Sequence, residues 1–498
     1  LHMRDGQEES VAHFPDYFRA YMGFYPQPED LGVKTWAEFE PPRPGEEDET
    51  ARRRWTVFLY LRSYEWLKLP DDVGRHYLSR GEEGLWVVPN PEDSNGSSDY
   101  VWMVRSVGVG NLFPEWFGPI GWAAEAFYSS GPYLREQATR GGTRLSMIQE
   151  TGAGGHSAPY LDWRIAYAGV YAIAAAGQLD DFDNDFIDET DYETMADPAR
   201  NEYQFRRFRD AIVKALAFLQ ARDEKPQRPG GAQALCVAAR PPAHASSSIF
   251  FGVGQPWNLA SGLSRAGLVF DTRDSFELEQ VLPRYDMVFY SPYAPRVGDV
   301  ELLRRWLEQK PGRVLVTHSF VPTRRADGYW NMDRGPSLGA PQGGKLLGLG
   351  PISYTDDKRC VITQAAGDWG ENFALGSEFE LPHPLTRCEG GQTLVGTDKG
   401  PLVSCFSCGR GEVVYLHYTS GAGILTSQLD AAVARALARA KALPTVCDAD
   451  FGLMVQVFLV PGGYTVVAWD GSNMAKWPWR YEAGLAPLLY EAPEVSQS

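Results

Sequence analysis

The sequence is poor in cysteine and in positive charge, and it has no long hydrophobic run. Its 498 residues include 6 cysteines, too few and too scattered for a disulfide scaffold. Acidic residues outnumber basic ones, 64 to 47, and a net charge of −17 argues against nucleic-acid or anionic membrane partners. No window reaches the roughly 18 consecutive apolar residues of a membrane span. We therefore predict a soluble chain without nucleic-acid or membrane partners, and the cytoplasm is favoured without being established.

Motifs for cofactors and metals are also missing. The segment Gly252-Val253-Gly254 lacks the third glycine of a dinucleotide-binding turn, and no phosphate-binding loop ending in Gly-Lys-Ser or Gly-Lys-Thr occurs. Cys405 and Cys408 form one close pair, but no second pair follows at zinc spacing. We predict no cofactor and no metal site.

Aromatic residues and overall size are what the chain does have. It contains 15 Trp, 24 Tyr and 24 Phe, and 44% of its residues are hydrophobic, which is the composition of a folded protein with cores for two or three domains. Flat aromatic faces suit sugar rings, although most of these side chains are expected in the cores.

Between residues 84 and 221 the pattern repeats a strand followed by a helix. Short apolar runs predict strands at residues 85–88, 109–113 and 145–149, and a fourth strand is predicted at 179–187. Apolar residues at helical spacing follow each run. Strands that alternate with helices indicate a parallel sheet with right-handed crossovers, so four such units predict half of a (β/α)8 barrel.

Polar side chains follow these predicted strands where catalytic groups of such barrels lie. Glu150 ends the third strand, before the glycines of Thr151-Gly152-Ala153-Gly154-Gly155, and is our first catalytic candidate. A helix cap or an arginine pair is the structural alternative for this carboxylate. Supporting substrate-binding roles are predicted for Asn90, Glu92, Glu115, Trp116 and Asp183.

The aspartates of the fourth predicted strand alternate along the chain. Asp181, Asp183 and Asp185 therefore share one face of that strand. A calcium site, salt bridges to outer arginines and binding of substrate hydroxyls all remain open for them.

A second α/β unit follows a joint rich in proline and glycine at residues 226–231. Strands are predicted at 234–238, 285–291 and 313–317, and helices at 300–309 and 429–443. Ser319 beside His318 does not make a triad, and no cysteine nucleophile follows a strand there, so binding or assembly is the predicted role. Apolar runs around Gly462-Gly463 predict a C-terminal hairpin. The predicted domains are 1–225, 226–445 and 446–498.

Three segments carry a resemblance to a known family. Residues 25–36, the run Glu115-Trp116-Phe117-Gly118 and the run Glu150-Thr151-Gly152-Ala153-Gly154-Gly155 resemble the later part of a TIM-barrel glycoside hydrolase. The domain order is similar to that of family 42 β-galactosidases. This resemblance implies a partial TIM barrel, then a flavodoxin-like domain that resembles a glutamine amidotransferase and serves trimerisation, then a small β domain.

The resemblance also implies an activity, hydrolysis of a β-linked carbohydrate with retention, and roles for two carboxyl groups. Glu150 matches the nucleophile after barrel strand 7, and the acid/base after strand 4 is expected at Glu8 or Glu9, or on a missing segment or partner chain. The first barrel strands are expected to be missing, so a partner chain or a homo-oligomer, a trimer included, is expected to cover the open edges. The alternative is a non-catalytic carbohydrate-binding or assembly subunit with a degenerate barrel.

Overall fold

The computed structural model describes the backbone of part of the chain. The described residues are 27–41, 43, 46, 50, 51, 54, 57, 58, 111–112, 115–116, 144–150, 181–185, 234–238, 256–274, 277–290, 297–318, 340–420, 424–443, 453–460 and 463–470. Within these ranges no helix combines the length and the apolar character needed to span a bilayer.

A small parallel sheet contains the strands that the repeating pattern predicts. Its strands are β1 (Asn111–Leu112), β2 (Glu115–Trp116), β3 (Arg144–Glu150) and β4 (Asp181–Asp185). Strand β3 pairs in parallel with β1 and β2 on one side and with β4 on the other. The prediction of parallel strands is confirmed here.

A nine-stranded sheet dominates the rest of the described structure. Its parallel strands, in spatial order, are β6 (Phe270–Asp274), β5 (Ala234–Ala238), β7 (Met287–Tyr290), β8 (Val314–His318) and β15 (Gly411–Leu416). This order is 2-1-3-4-5 by position in the chain, the order of flavodoxin-like sheets. The apolar runs at 234–238, 285–291 and 313–317 are therefore parallel strands, as predicted.

The other half of this sheet is antiparallel, and the sequence patterns did not indicate it. Beyond β15 the sheet continues through β14 (Gly400–Cys408), β13 (Gln392–Thr397), β10 (Arg359–Ala365) and β11 (Glu378–Glu380). Two separate antiparallel pairs complete the strands. They are a ribbon of β9 (Ile352–Tyr354) with β12 (Thr386–Cys388) and a hairpin of β16 (Leu453–Val460) with β17 (Gly463–Asp470).

Helices cover both faces of the parallel half. They are α1 (Pro256–Arg265), α2 (Leu278–Val281), α3 (Val297–Gln309), α4 (Ala340–Leu346) and α5 (Ile424–Lys441). Because successive strand residues point to opposite faces, β5 places Ala234 and Cys236 in the core beneath α1 and α5, and Leu235 and Val237 in the core beneath α3. Strands buried on both faces are continuous hydrophobic runs, as parallel strands require.

The described structure is α/β with a large mixed sheet, so the predicted fold class is confirmed at that level. Thr50, Ala51, Arg54, Val57 and Phe58 are helical. The C-terminal hairpin is confirmed. Barrel closure and the three domain boundaries stay predictions. The strand at 85–88 and the helical segments predicted after the four strands lie outside the described residues.

Candidate active site

Glu150 is the last residue of β3. The apolar residues Leu145, Met147 and Ile148 precede it and make the segment a strand. The carboxyl ends of the neighbouring strands lie at the same level, because Trp116 pairs with Gln149 and Asp185 pairs with Glu150. Glu150 therefore occupies the edge of the sheet at which parallel α/β architectures bind their substrates.

The register brings five acidic positions to one face of this sheet. Asp185 lies opposite Glu150, Asp183 and Glu115 lie opposite Ile148 from the two sides, and Asp181 lies opposite Ser146. Paired residues of neighbouring strands share a face, and so do residues two apart within a strand. The sequence predicted that the three aspartates share a face, and the register adds that Glu115 and Glu150 share it with them.

The spacing of these positions follows from sheet geometry. Neighbouring strands are about 4.8 Å apart and residues two apart in a strand are about 6.6 Å apart. The backbone positions of Glu150 and Asp185 are thus about one strand spacing apart, and Glu115 lies about 8 Å away on the diagonal.

Trp116 lies on the opposite face from Glu115 within β2. It pairs with Gln149, which in turn pairs with Asn184, and these three positions form the other side of the sheet. Glu115 and Trp116 can therefore line one substrate cavity only beyond the carboxyl ends of the strands, where the sheet no longer separates its two faces.

The positions of the remaining predicted site residues relative to this edge are not described. Glu8, Glu9, Asn90 and Glu92 lie outside the described residues. Their roles as acid/base and as substrate ligands stay predictions. Sequence reasoning assigned the substrate contact to Asp183, whereas the register places Asp185 directly beside Glu150. The alternation of the aspartates was the available signal, but it does not specify which of them reaches the end of the sheet.

The large sheet does not present a reactive thiol among its described residues. Cys236, Cys360 and Cys408 of this sheet are buried, as is Cys388 of the ribbon, and Cys405 on β14 is half-buried, with a pKa that burial raises to about 11. Burial, with a contribution from the charge of Asp430, raises the pKa of the Cys236 thiol to about 12. A thiol must ionise to act as a nucleophile, so these cysteines are packing residues.

His318, the last residue of β8, is buried in the described structure. Burial and the nearby His383 lower the pKa of His318 to about 3. A fully buried neutral imidazole adds to the reasons against a hydrolytic triad formed by His318 and Ser319. Ser319 itself lies outside the described residues. Within the described part of the chain, no group of three or more His, Cys, Asp or Glu side chains is arranged to hold a metal ion.

No protein-family model matches this chain, and no curated protein sequence matches it. Similar solved structures include a β-galactosidase from Rahnella sp. R3, which is 13% identical, with 91% of this chain and 70% of that chain covered and a TM-score of 0.49. A β-galactosidase from Bacillus circulans sp. alkalophilus is 11% identical, with 84% and 70% covered and a TM-score of 0.39.

A third similar structure is the exo-β-1,4-mannosidase Op5Man5 from Opitutaceae bacterium strain TAV5. It is 12% identical, with 89% of this chain and 93% of that chain covered and a TM-score of 0.34.

Proposed function

We propose that this chain is a retaining glycoside hydrolase that acts on a β-linked carbohydrate, with Glu150 as the nucleophile. The observation that carries the proposal is the position of Glu150 as the last residue of β3, with Asp185 directly opposite it on a parallel neighbour. Cleavage of a glycosidic bond needs two carboxyl groups, and catalytic residues of parallel α/β barrels lie at the carboxyl ends of the strands.

The reaction proceeds in two displacements. A carboxylate oxygen of Glu150 attacks the anomeric carbon and forms a glycosyl ester, while the bond from that carbon to the leaving oxygen breaks and an acid protonates the oxygen. Water, deprotonated by the same acid/base group, then attacks the anomeric carbon, the bond from that carbon to the Glu150 oxygen breaks, and the sugar and free Glu150 are released. Two displacements at one carbon retain its configuration.

The acid/base is proposed to be Glu8 or Glu9, as the resemblance implies. In a retaining site the two carboxyl groups are about 5 to 5.5 Å apart. Asp185 and Glu115 share the face of Glu150 and are the candidates for a proton donor if neither N-terminal glutamate approaches it. The mechanism requires that the acid/base group stays protonated near neutral pH until it gives its proton to the leaving oxygen. Asn90, Glu92, Glu115, Trp116 and Asp183 are proposed to bind substrate hydroxyls and ring faces.

The barrel and the assembly are part of the same proposal. Strands β1 to β4 are taken as members of a partial (β/α)8 barrel within a domain of residues 1–225, followed by an amidotransferase-like domain to residue 445 and a small β domain. A barrel requires a closed ring of strands. We propose that a partner chain or a homo-oligomer, such as a trimer, supplies what closes it.

The test is covalent labelling of the full chain. We expect a dinitrophenyl 2-deoxy-2-fluoro-β-glycoside to add one sugar mass, and peptide mapping to locate the sugar on Glu150, because the fluorine slows both steps and the activated leaving group speeds only formation of the ester. The panel covers galactosides, glucosides and mannosides. Labelling of a different carboxylate would reassign the nucleophile, and hydrolysis with inversion would reject the mechanism.

The second candidate is a non-catalytic carbohydrate-binding or assembly subunit. The large sheet favours it, because this scaffold carries buried cysteines and a buried neutral histidine where a working site needs accessible groups. Sugar binding by calorimetry, with no hydrolysis and no label across the glycoside panel, would establish this candidate in place of the first.

A further inference from the structure

The ribbon of β9 and β12 is attached to the large sheet through Thr386. The Thr386 amide donates to the carbonyl of His417, 2.7 Å away, and the Thr386 hydroxyl contacts the same carbonyl at 3.1 Å. The hydroxyl also lies 3.1 Å from the phenol oxygen of Tyr415 on β15. One residue of β12 thus makes hydrogen bonds to two residues at the carboxyl end of β15.

The imidazole of His417 adds two further hydrogen bonds to the contact between Thr386 and the end of β15. Its Nδ1 lies 2.9 Å from the Thr386 carbonyl and its Nε2 lies 2.9 Å from the Ser404 hydroxyl on β14. A carbonyl only accepts, so Nδ1 carries the hydrogen and donates it, and Nε2 accepts from Ser404. His417 is fully buried, and the Tyr415 ring packs edge-on against it at 4.9 Å. The neutral imidazole therefore links β12 to β14 through both nitrogens.

The groups that bond to or pack against the imidazole are uncharged, and two other histidines, His318 and His383, lie nearby. The titratable neighbour in contact with the ring is the Tyr415 phenol. Arg387, next to Thr386, is exposed near Asp357, and Cys405 follows Ser404 and points to the opposite face of β14. His383 lies three residues before Thr386 and influences His318, whose strand partner Leu416 precedes His417.

We propose that His417 and Thr386 form an acid-sensitive latch that holds the β9/β12 ribbon on the sheet, and that protonation of His417 releases the ribbon before the domain unfolds. Charging the ring places a cation in a fully buried site, which costs free energy even though the Ser404 hydroxyl can rotate to accept from the protonated Nε2. Opening the ribbon exposes the ring to water, where the charged form is stable. Acid therefore favours the open ribbon.

The pH dependence of ribbon opening follows from the difference between the pKa of His417 in the closed ribbon and its pKa in the open ribbon. Burial lowers the pKa of His417 from 6.5 to about 4, opposed by its hydrogen bond to Thr386. The closed latch is fully stable above pH 6.5 and loses stability as the pH falls toward 4. If the ring regains its ordinary pKa on opening, the opening constant rises about 30-fold between pH 7.5 and 5.0.

Hydrogen exchange of the full chain, followed by mass spectrometry and corrected for intrinsic rates, tests the latch. We expect peptides that contain residues 352–354 and 386–388 to lose protection by about 30-fold between these pH values. Peptides of β5 and β7 should keep higher protection at both. The His417→Gln variant should exchange rapidly in the ribbon at both pH values, with little remaining dependence on pH.

Two matched variants and one spectroscopic measurement complete the test. Thr386→Val keeps the shape and the backbone bonds, so it should raise ribbon exchange about fivefold at both pH values and retain the pH dependence. His383→Gln should leave the 30-fold change intact. A wild-type ring that titrates near 6.5 in the folded chain by NMR would overturn the proposal, as would ribbon exchange that is independent of pH or that tracks β5 and β7.

Discussion

In the small parallel sheet, β4 has the sequence Asp181-Phe182-Asp183-Asn184-Asp185, with a carboxylate at every second position, whereas β7 and β8 of the large sheet are buried at every position. Both are parallel sheets with the same pairing geometry. An isolated buried carboxylate costs several kcal/mol, so an acidic face is retained only where it is paired, solvated or functional. Under the proposed function, the acidic face of the small sheet carries the chemistry and the large sheet supports the fold.

Substitution of Glu150 is expected to have the largest effect, a loss of activity, and it tests whether the chemistry lies on the small sheet. Glu150→Gln keeps the volume and removes the nucleophile, so hydrolysis of an aryl β-glycoside should fall by about 10³-fold or more, with an unchanged melting temperature. The matched control is Asp181→Asn, which lies on the same face but at the amino end of β4. It should keep most of the activity. Equal losses in both variants would contradict a site at the carboxyl end.

The second prediction concerns the contribution of the large sheet to the free energy of unfolding. Trp306 on α3 is buried, donates from Nε1 to the Tyr285 carbonyl at 3.1 Å, and lies 5.1 Å from the Arg313 guanidinium. Trp306→Ala should lower the free energy of unfolding by about 3 to 5 kcal/mol, as removal of a large buried ring does. Trp306→Phe should cost less because it keeps most of the contacts. Urea unfolding measures both, and activity of the folded fraction should not change.

Acid should weaken the large sheet through His318. Its folded pKa of about 3 lies below the ordinary 6.5, so its contribution is complete above pH 6.5 and declines as the pH falls toward 3. At pH 5 the loss amounts to about 2 kcal/mol. Urea midpoints between pH 8 and pH 5 measure it, with His318→Gln as the comparison. A pH dependence that is the same in this variant would assign the loss to other groups.

The smallest effect is expected on the surface of the large sheet. Lys310 contacts Asp286 at 2.7 Å, but both side chains are substantially exposed. Water screens such pairs, so Lys310→Ala should change the free energy of unfolding by less than about 1 kcal/mol. A larger loss in urea unfolding would show that this pair anchors the turn before β8.

Sequence patterns located β3, β5, β7 and β8, because each contains an apolar run, whereas the parallel strands β6 and β15 were not predicted. The strand at 234–238 coincides with β5, and Glu150 was correctly placed at a strand end. The antiparallel half from residue 352 to 408 was not predicted. Many of its residues are half-exposed, as in the pattern of β10, and register shifts interrupt β10 and β13, so the alternation is irregular.

The sequence by itself determined that the chain is α/β, that Glu150 ends a strand, and that Asp181, Asp183 and Asp185 share a face, because local spacing sets strand type and side-chain alternation. Only the tertiary structure decided that Asp185 lies opposite Glu150, that Glu115 shares their face, and that His417 contacts Thr386 from 31 residues away in the chain. These relations depend on strand register and on which strands are neighbours. Both are set by packing between distant segments, which the spacing of residues along one segment does not encode.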